Sequence, residues 1–212
     1  TLLATERIAD LARRNPAKTI VVDESFIEFS DEASIVGRLR SDDLTNVLVI
    51  KSLSKTLGVP GLRLGALLTS DPEMSARIRD EQPIWNLSSV AENFLEIMLK
   101  HRPALEQSYL QTAADREEFA LLLKESSLVD TVFPSGGDFL LVRLAGDAIV
   151  ADGLARTLAE RYEILVKDVS GKMADGRGYW RLAVRTPEDH QTLLSAMRSV
   201  ETGGELRARG SQ

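Results

Sequence analysis

Residues Val49–Gly65 read VIKSLSKTLGVPGLRLG, an apolar run that stops at two serines and a lysine and meets an arginine eight residues after that lysine. Val47–Ile50 reads as a buried strand and Leu64–Leu68 as another. Between them Ser52, Ser54, Lys55 and Arg63 are set among Gly58, Pro60 and Gly61. A simple hairpin needs only two to five turn residues and no such collection of polar groups.

Two chemistries suit the stretch. In one, Ser52, Ser54 and Arg63 converge on a phosphate, with Lys55 as a fourth contact and Arg63 offering its planar fork of donors. In the other, Lys55 is a nucleophilic amine that forms a Schiff base with an aldehyde cofactor, itself the carrier of the phosphate. Burial and a neighbouring Arg63 would both disfavour an ammonium there and lower the pKa of Lys55. Upstream, IVVDESFIEF places Asp23 at the carboxyl end of a second buried strand, the edge at which open α/β sheets bind ligands. A carboxylate at that edge could hold a heteroaromatic ring nitrogen in its protonated form.

The rest of the chain sets bounds. Its 212 residues are 43% hydrophobic and 27% charged, an ordinary globular composition with enough length for a real core. A formal net charge of −6 gives no general reason to expect a nucleic-acid partner. The absence of cysteine excludes disulfides and thiolate chemistry, and two histidines far apart in sequence, His101 and His190, offer little for a zinc site. No apolar stretch approaches 18 residues and no charged-then-apolar leader opens the sequence, so a cytoplasmic protein without a membrane contact is expected. Thr1 with a helix-like pattern close behind it reads as a chain cut from a longer one.

Periodicity predicts a helix over Thr5–Arg14, strands in KTIVVD, NVLVIKSL and LGALLTS, and a short helix near Ala33–Leu39. The three strands lack polar alternation, as expected where both faces of a sheet are covered. Asp71 and Pro72 open a further helix. From Ser88 to Lys124 the pattern is helical with a break at Arg102–Pro103. Beyond it DFLLVRL, ILVKD and YWRLAVR read as strands, and AIVADGLARTLAERY and PEDHQTLLSAMRSV as amphipathic helices. Four segments follow: an α/β part over residues 1–87, a connecting helical stretch over 88–125, a small α+β domain over 126–200 and a polar tail over 201–212.

VVDESFIEF followed by SLSKTLGVPGLRLG resembles the fold-type I pyridoxal-phosphate enzymes, and among them the class I/II aminotransferases of the histidinol-phosphate aminotransferase branch. The resemblance runs from Thr1 to about Val200. It implies the second half of a large domain with a mainly parallel sheet, followed by the small C-terminal domain. It implies pyridoxal 5'-phosphate as cofactor, a small and sometimes phosphorylated amino acid as substrate, and a homodimer. By the same resemblance Lys55 is the Schiff-base lysine, Asp23 the partner of the pyridine nitrogen, and Ser52, Ser54 and Arg63 the phosphate ligands. Arg181 in YWRLAVR falls where the family grips the substrate α-carboxylate. Trp85 and Asn86 are candidates for lining the active site, with interface packing as the other reading of Trp85.

Three departures qualify it. Phe26 stands where the family usually has a tyrosine; it can pack beside the cofactor but donate no hydrogen bond. PIWNLSSVAENFLE and ILVKDVSGKM look more like the threonine-phosphate decarboxylase branch, so decarboxylation stands beside amino transfer. The family's first half, with its stacking aromatic and its main phosphate turn, has no counterpart here, which leaves a non-catalytic fragment as a third reading.

Several residues read as bland. Glu24 and Glu28 point away from Asp23 by strand alternation. Lys167, Asp168 and Arg185 read as solvent-facing, and both histidines as surface residues. Ser52–Lys55 also satisfies the Ser-x-x-Lys pattern of penicillin-binding enzymes. The Ser-Asp-Asn and Lys-Thr-Gly partners of that pattern do not occur, and its serine opens a helix whereas Ser52 follows a strand.

Overall fold

A computed structural model describes residues 2–202. The chain divides within one long helix into two compact units, residues 1–109 and 110–212.

The first unit is a three-stranded sheet. β1 (Ile20–Asp23) runs parallel to β2 (Val47–Lys51), and β3 (Ala66–Leu68) runs antiparallel to β2 on its other side. One face is covered by helix α1 (Thr5–Arg14) and the 3₁₀ turn Ile35–Arg38, with Ala9, Ala12, Ile35, Leu39, Leu44, Val47 and Val49 as the core. Contrary to the expectation from the unbroken apolar runs, the other face is open among the described residues. Val21, Ile50 and Leu67 there are 56%, 37% and 49% exposed. An apolar run records what a strand is suited to, while burial depends on which segments lie across it.

Register carries the rest. Asp23 pairs with Ile50 and Val22 with Val49, so Asp23 belongs to the open face and Glu24 continues the covered one. The parallel pair ends at Asp23 and Lys51, and only two residues later the chain enters a one-turn helix, α2 (Leu53–Thr56), which periodicity had not indicated. A 3₁₀ turn, Pro60–Leu62, follows it before β3. Ser52 both follows the strand and sits at the N-cap of α2. The contrast drawn above with helix-opening serines therefore does not hold, and the rejection rests on the missing partner motifs.

Helix α3 (Pro72–Asp80) starts as Asp71 and Pro72 predict, with the Asp71 carboxylate accepting from the Glu73 N–H at 2.9 Å. Helices α4 (Ser89–Lys100) and α5 (Arg102–Leu123) are separated at His101, next to the predicted break. Ser88 caps α4 by accepting from Ala91 N–H.

The second unit takes the last turns of α5 and adds a four-stranded antiparallel sheet in the order β4 (Val129–Phe133), β5 (Phe139–Asp147), β7 (Arg177–Ala183), β6 (Lys167–Asp168). β4 was not expected, because VDTVF is short and its alternation is broken. Helices α6 (Ala148–Tyr162) and α7 (Pro187–Thr202) close one face over Leu140, Val142, Leu144, Leu182 and the fully buried Trp180. The indole N–H of Trp180 donates to the Ala151 carbonyl at 3.3 Å. His190 is part of this interior: 4% exposed, it stacks on Phe119 with ring centroids 3.9 Å apart. The surface placement expected of it was wrong, because α7 turns that position inward; His101 is exposed. The tail expected over 201–212 lies, from residue 203 onward, outside the described residues.

Candidate active site

The C-terminal edge of the β1–β2 pair gathers most of the residues singled out in the sequence. Asp23 is the last residue of β1, and its Oδ1 accepts two hydrogen bonds from Ser25, from the backbone N–H at 2.9 Å and from the hydroxyl at 2.6 Å. This is a local turn closed by an aspartate on the residue two ahead. Oδ2 accepts no hydrogen bond from the described residues. Phe26 follows, half-buried, at the entrance to the 3₁₀ turn Ile27–Phe29.

On the neighbouring strand the chain passes from Lys51 through Ser52 into α2, which carries Ser54 and Lys55. Ser54 is buried, and both its N–H and its hydroxyl donate to the Leu64 carbonyl at 3.3 Å. Lys55, expected to be buried, is exposed and makes no ion pair within the described residues. It lies on the exposed side of a one-turn helix whose buried residues are Ser54 and Thr56. Arg63 is exposed and its guanidinium donates to the Pro60 carbonyl at 3.0 Å. Its backbone lies in the left-handed region at φ 54°, an uncommon and mildly strained state for a residue other than glycine, of the kind that concentrates at ligand sites. Gly65 is fixed by contact instead: a Cβ there would come within 3.2 Å of the Lys51 carbonyl.

The donor set fits a phosphorylated aldehyde on a protonated heteroaromatic ring. A carboxylate with one open oxygen lies on an apolar sheet face beside Ile50 and Leu67, an amine lies one turn beyond the next strand, and Arg63 supplies a guanidinium. Among the described residues no cluster of three or more His, Asp and Glu could hold a metal ion.

Asn86 and Trp85 belong to the loop between α3 and α4. Trp85 is 92% exposed, and Asn86 lines a cavity of about 780 Å³ with Lys51, Leu67, Thr69 and Arg79, which neither Asp23 nor Lys55 reaches.

In the second unit Arg181 points away from the helices. It is exposed, with its guanidinium 5.2 Å from the Phe139 ring centre. Lys167 on β6 is its direct cross-strand partner. Like charges facing each other across a strand pair are destabilising. Neither cation is ion-paired within the described residues, although both line a hollow of about 460 Å³ that also includes Arg185 and Asp189. Arg185 is paired with Asp189 at 2.7 Å. The sequence reading set Lys167 aside as a charged strand end facing solvent, and it is exposed; its register with Arg181 is a property of the folded sheet alone.

Four more residues were missed. Glu24, 5% exposed, accepts from Ser34 Oγ at 2.5 Å and from the Ile35 N–H at 2.7 Å. Lys51 Nζ lies 3.4 Å from Glu24 and 2.9 Å from Glu28. Tyr109 donates its hydroxyl to the Thr56 carbonyl at 3.1 Å and packs edge-on against Phe29. Burial and the Glu28 charge push its pKa up to about 12, so it stays a donor. Ser25 alone had a local signal, the Asp-x-Ser spacing.

The sequence model for aminotransferase class I and II matches residues 1–197. The chain belongs to that family. Members of the class I and II aminotransferases use pyridoxal 5'-phosphate. Histidinol-phosphate aminotransferase 1 of Burkholderia lata is 34% identical over 200 residues, covering 93% of this chain and 52% of that protein. Threonine-phosphate decarboxylase of Salmonella typhimurium is 30% identical over 185 residues, covering 87% of this chain and 49% of that protein. The crystal structure of the histidinol-phosphate aminotransferase from Clostridium acetobutylicum superposes with a TM-score of 0.86 at 25% identity, covering 95% of this chain and 60% of that one. The chain thus spans about half the length of these two curated relatives. Among the described residues no helix is long and apolar enough to cross a membrane.

Proposed function

We propose that this chain carries the lysine-bearing half of a pyridoxal-phosphate enzyme that transfers the amino group of a small, anionic amino acid. The reading rests foremost on one observation: Asp23 and the helix bearing Lys55 emerge from the same end of two paired parallel strands. The cofactor, when bound, supplies an electron sink for the carbanion formed at the substrate α-carbon.

Lys55 holds the cofactor's aldehyde carbon between turnovers. With the substrate amine in its place, the Lys55 amine would be free to take the proton from the α-carbon and deliver it to the cofactor's former aldehyde carbon. The open oxygen of Asp23 keeps a proton on the ring nitrogen by accepting it in a charge-assisted hydrogen bond. Ser52 and Arg63 bind the phosphate; Ser54 joins them only if its hydroxyl turns from Leu64. Phe26 packs beside the ring. Arg181 grips the α-carboxylate, and Lys167 beside it suits a second anionic group, which favours a phosphorylated or otherwise dianionic substrate. Asn86 lines the substrate side. Ile84 and Trp85, 97% and 92% exposed, offer apolar surface for a homodimer.

Decarboxylation is the second reading. Phe26 and the similarity to a threonine-phosphate decarboxylase favour it. The two differ in which bond at the α-carbon breaks, and product analysis separates them: a keto acid for transfer, carbon dioxide without one for decarboxylation.

The test of both is the intact protein incubated with pyridoxal phosphate. It should acquire a visible absorption band that Lys55→Ala removes, with borohydride fixing the label on Lys55. A parent protein without the band, or a label elsewhere, refutes the assignment.

A further inference from the structure

We infer that Glu24 is a positioning residue for the site: through Lys51 it fixes the spacing between the segment that presents Asp23 and the one that presents Lys55. The inference rests on the reading of those two residues given above.

Glu24 follows Asp23 directly but lies on the other face of the sheet, where it is 5% exposed while Asp23 is exposed. Its backbone N–H extends the strand ladder to the Ile50 carbonyl at 2.8 Å. Its carboxylate then collects donors from two further places. Oε1 takes the Ile35 N–H at 2.7 Å, and Oε2 takes the Ser34 hydroxyl at 2.5 Å with Lys51 Nζ at 3.4 Å. Ser34 is itself the cap of the 3₁₀ turn that covers the sheet, accepting from Val36 N–H. Lys51 is the last residue of β2 and reaches a second carboxylate, Glu28 Oε1, at 2.9 Å.

A carboxylate this deeply buried is tolerable only when paired and fully hydrogen-bonded, and its partners are correspondingly fixed. The partners tie the two site-bearing segments together. Glu24 adjoins Asp23, and Lys51 ends β2 four residues before Lys55, so the ion pair is a cross-link one residue from the carboxylate and four from the amine. Among the described residues the Asp23 side chain is anchored by hydrogen bonds from Ser25 alone, the next residue beyond Glu24. A small ring bridging Asp23 and Lys55 needs their spacing held closely, since a misplacement of an ångström can lower a rate by about a hundredfold. Glutamine cannot replace Glu24 here. Its one oxygen serves one side, and its amide then sets a donor against the Ile35 N–H or the Lys51 ammonium.

The experiment uses the intact protein loaded with pyridoxal phosphate and follows two quantities. One is the dissociation constant of the cofactor; the other is the pH midpoint of its visible band, which reports the charge near the ring nitrogen and the lysine. Glu24→Gln and, independently, Lys51→Gln should each weaken cofactor binding by about ten- to a hundredfold. Each should also shift the midpoint in the same direction as Asp23→Asn. The double variant Glu24→Gln/Asp23→Asn should shift it no further than Asp23→Asn alone, because the spacing that Glu24 holds through Lys51 reaches the ring nitrogen only by way of the Asp23 carboxylate. Val47→Ala, a core truncation at the far end of β2, should lower the melting temperature and leave the midpoint in place. If Glu24→Gln and Lys51→Gln behave like Val47→Ala, or if the double variant is additive, the inference is overturned. A parent protein with no visible band instead refutes the function beneath it.

Discussion

Ser25 donates twice to a single oxygen of Asp23, at 2.9 Å from its backbone and 2.6 Å from its hydroxyl, and no described residue donates to the other oxygen. The carboxylate is therefore oriented by a residue two positions away, before any ligand arrives. Ser25→Ala removes the shorter of the two bonds and lets the carboxylate rotate. Cofactor affinity should fall roughly tenfold, about 1.4 kcal/mol, in a spectrophotometric titration. An unchanged affinity would mean that the backbone bond alone sets the orientation.

Arg181 and Lys167 face each other across β6 and β7, and an anion bound between them would relieve their repulsion. Arg181→Lys gives up the two-pronged grip on a carboxylate, so KM should rise about tenfold or more while kcat changes less. Lys167→Met should weaken only substrates with a second anionic group. It should also raise the melting temperature of the ligand-free protein slightly. Equal loss for mono- and dianionic substrates would remove Lys167 from the site.

His190 is stacked on Phe119 and accepts the Arg185 N–H on Nε2 at 2.9 Å, which requires the neutral ring. Burial pushes its pKa below the usual histidine value, against the charges of Asp115, Glu118 and Asp189, which favour the proton. A lowered folded-state pKa means that the unfolded chain binds the proton more readily. The stabilisation is then complete above about pH 6.5, the ordinary histidine value, and is lost as the pH falls through that value toward the folded one. Melting temperatures between pH 5 and 8 should show this loss in the parent and less of it in His190→Gln, which keeps an acceptor but does not titrate. Identical profiles would show that the carboxylates alone set the acid limit.

Two glycines of the second unit should respond in opposite senses. A Cβ at Gly178 would lie 2.8 Å from both the Ala151 Cβ and the Asp147 carbonyl, so β7 and α6 would have to part. Gly178→Ala should destabilise by about 1–3 kcal/mol. Gly153 is exposed within α6 with open space at its Cβ, and Gly153→Ala should stabilise by about 0.5–1 kcal/mol. Urea melts of the two variants measure both.

Much of this was legible in the order of residues. The bounds of α1 and α6 coincide with their apolar periodicity, Asp71 and Ser88 cap the helices they were placed to cap or precede, and the family membership follows from two short motifs. Those features depend on residues within a turn or two of each other. β4 escaped because VDTVF gains its strand character from pairing with β5, and α2 because one turn of helix is too short for a period to show.

The sequence alone determined which chemical groups stand at the end of β1 and beyond β2, since the identity and spacing of Asp23, Lys55 and Arg63 are properties of the chain. Tertiary structure decided which of their neighbours matter. Glu24 meets Ser34, Ile35 and Lys51 from up to 27 positions away, His190 meets Phe119 from the other end of the second unit, and Lys167 meets Arg181 only through strand register. Burial and pairing are set by segments that local propensity does not bring together, and the cost of leaving a charge unpaired inside a protein then selects the partners each one finds.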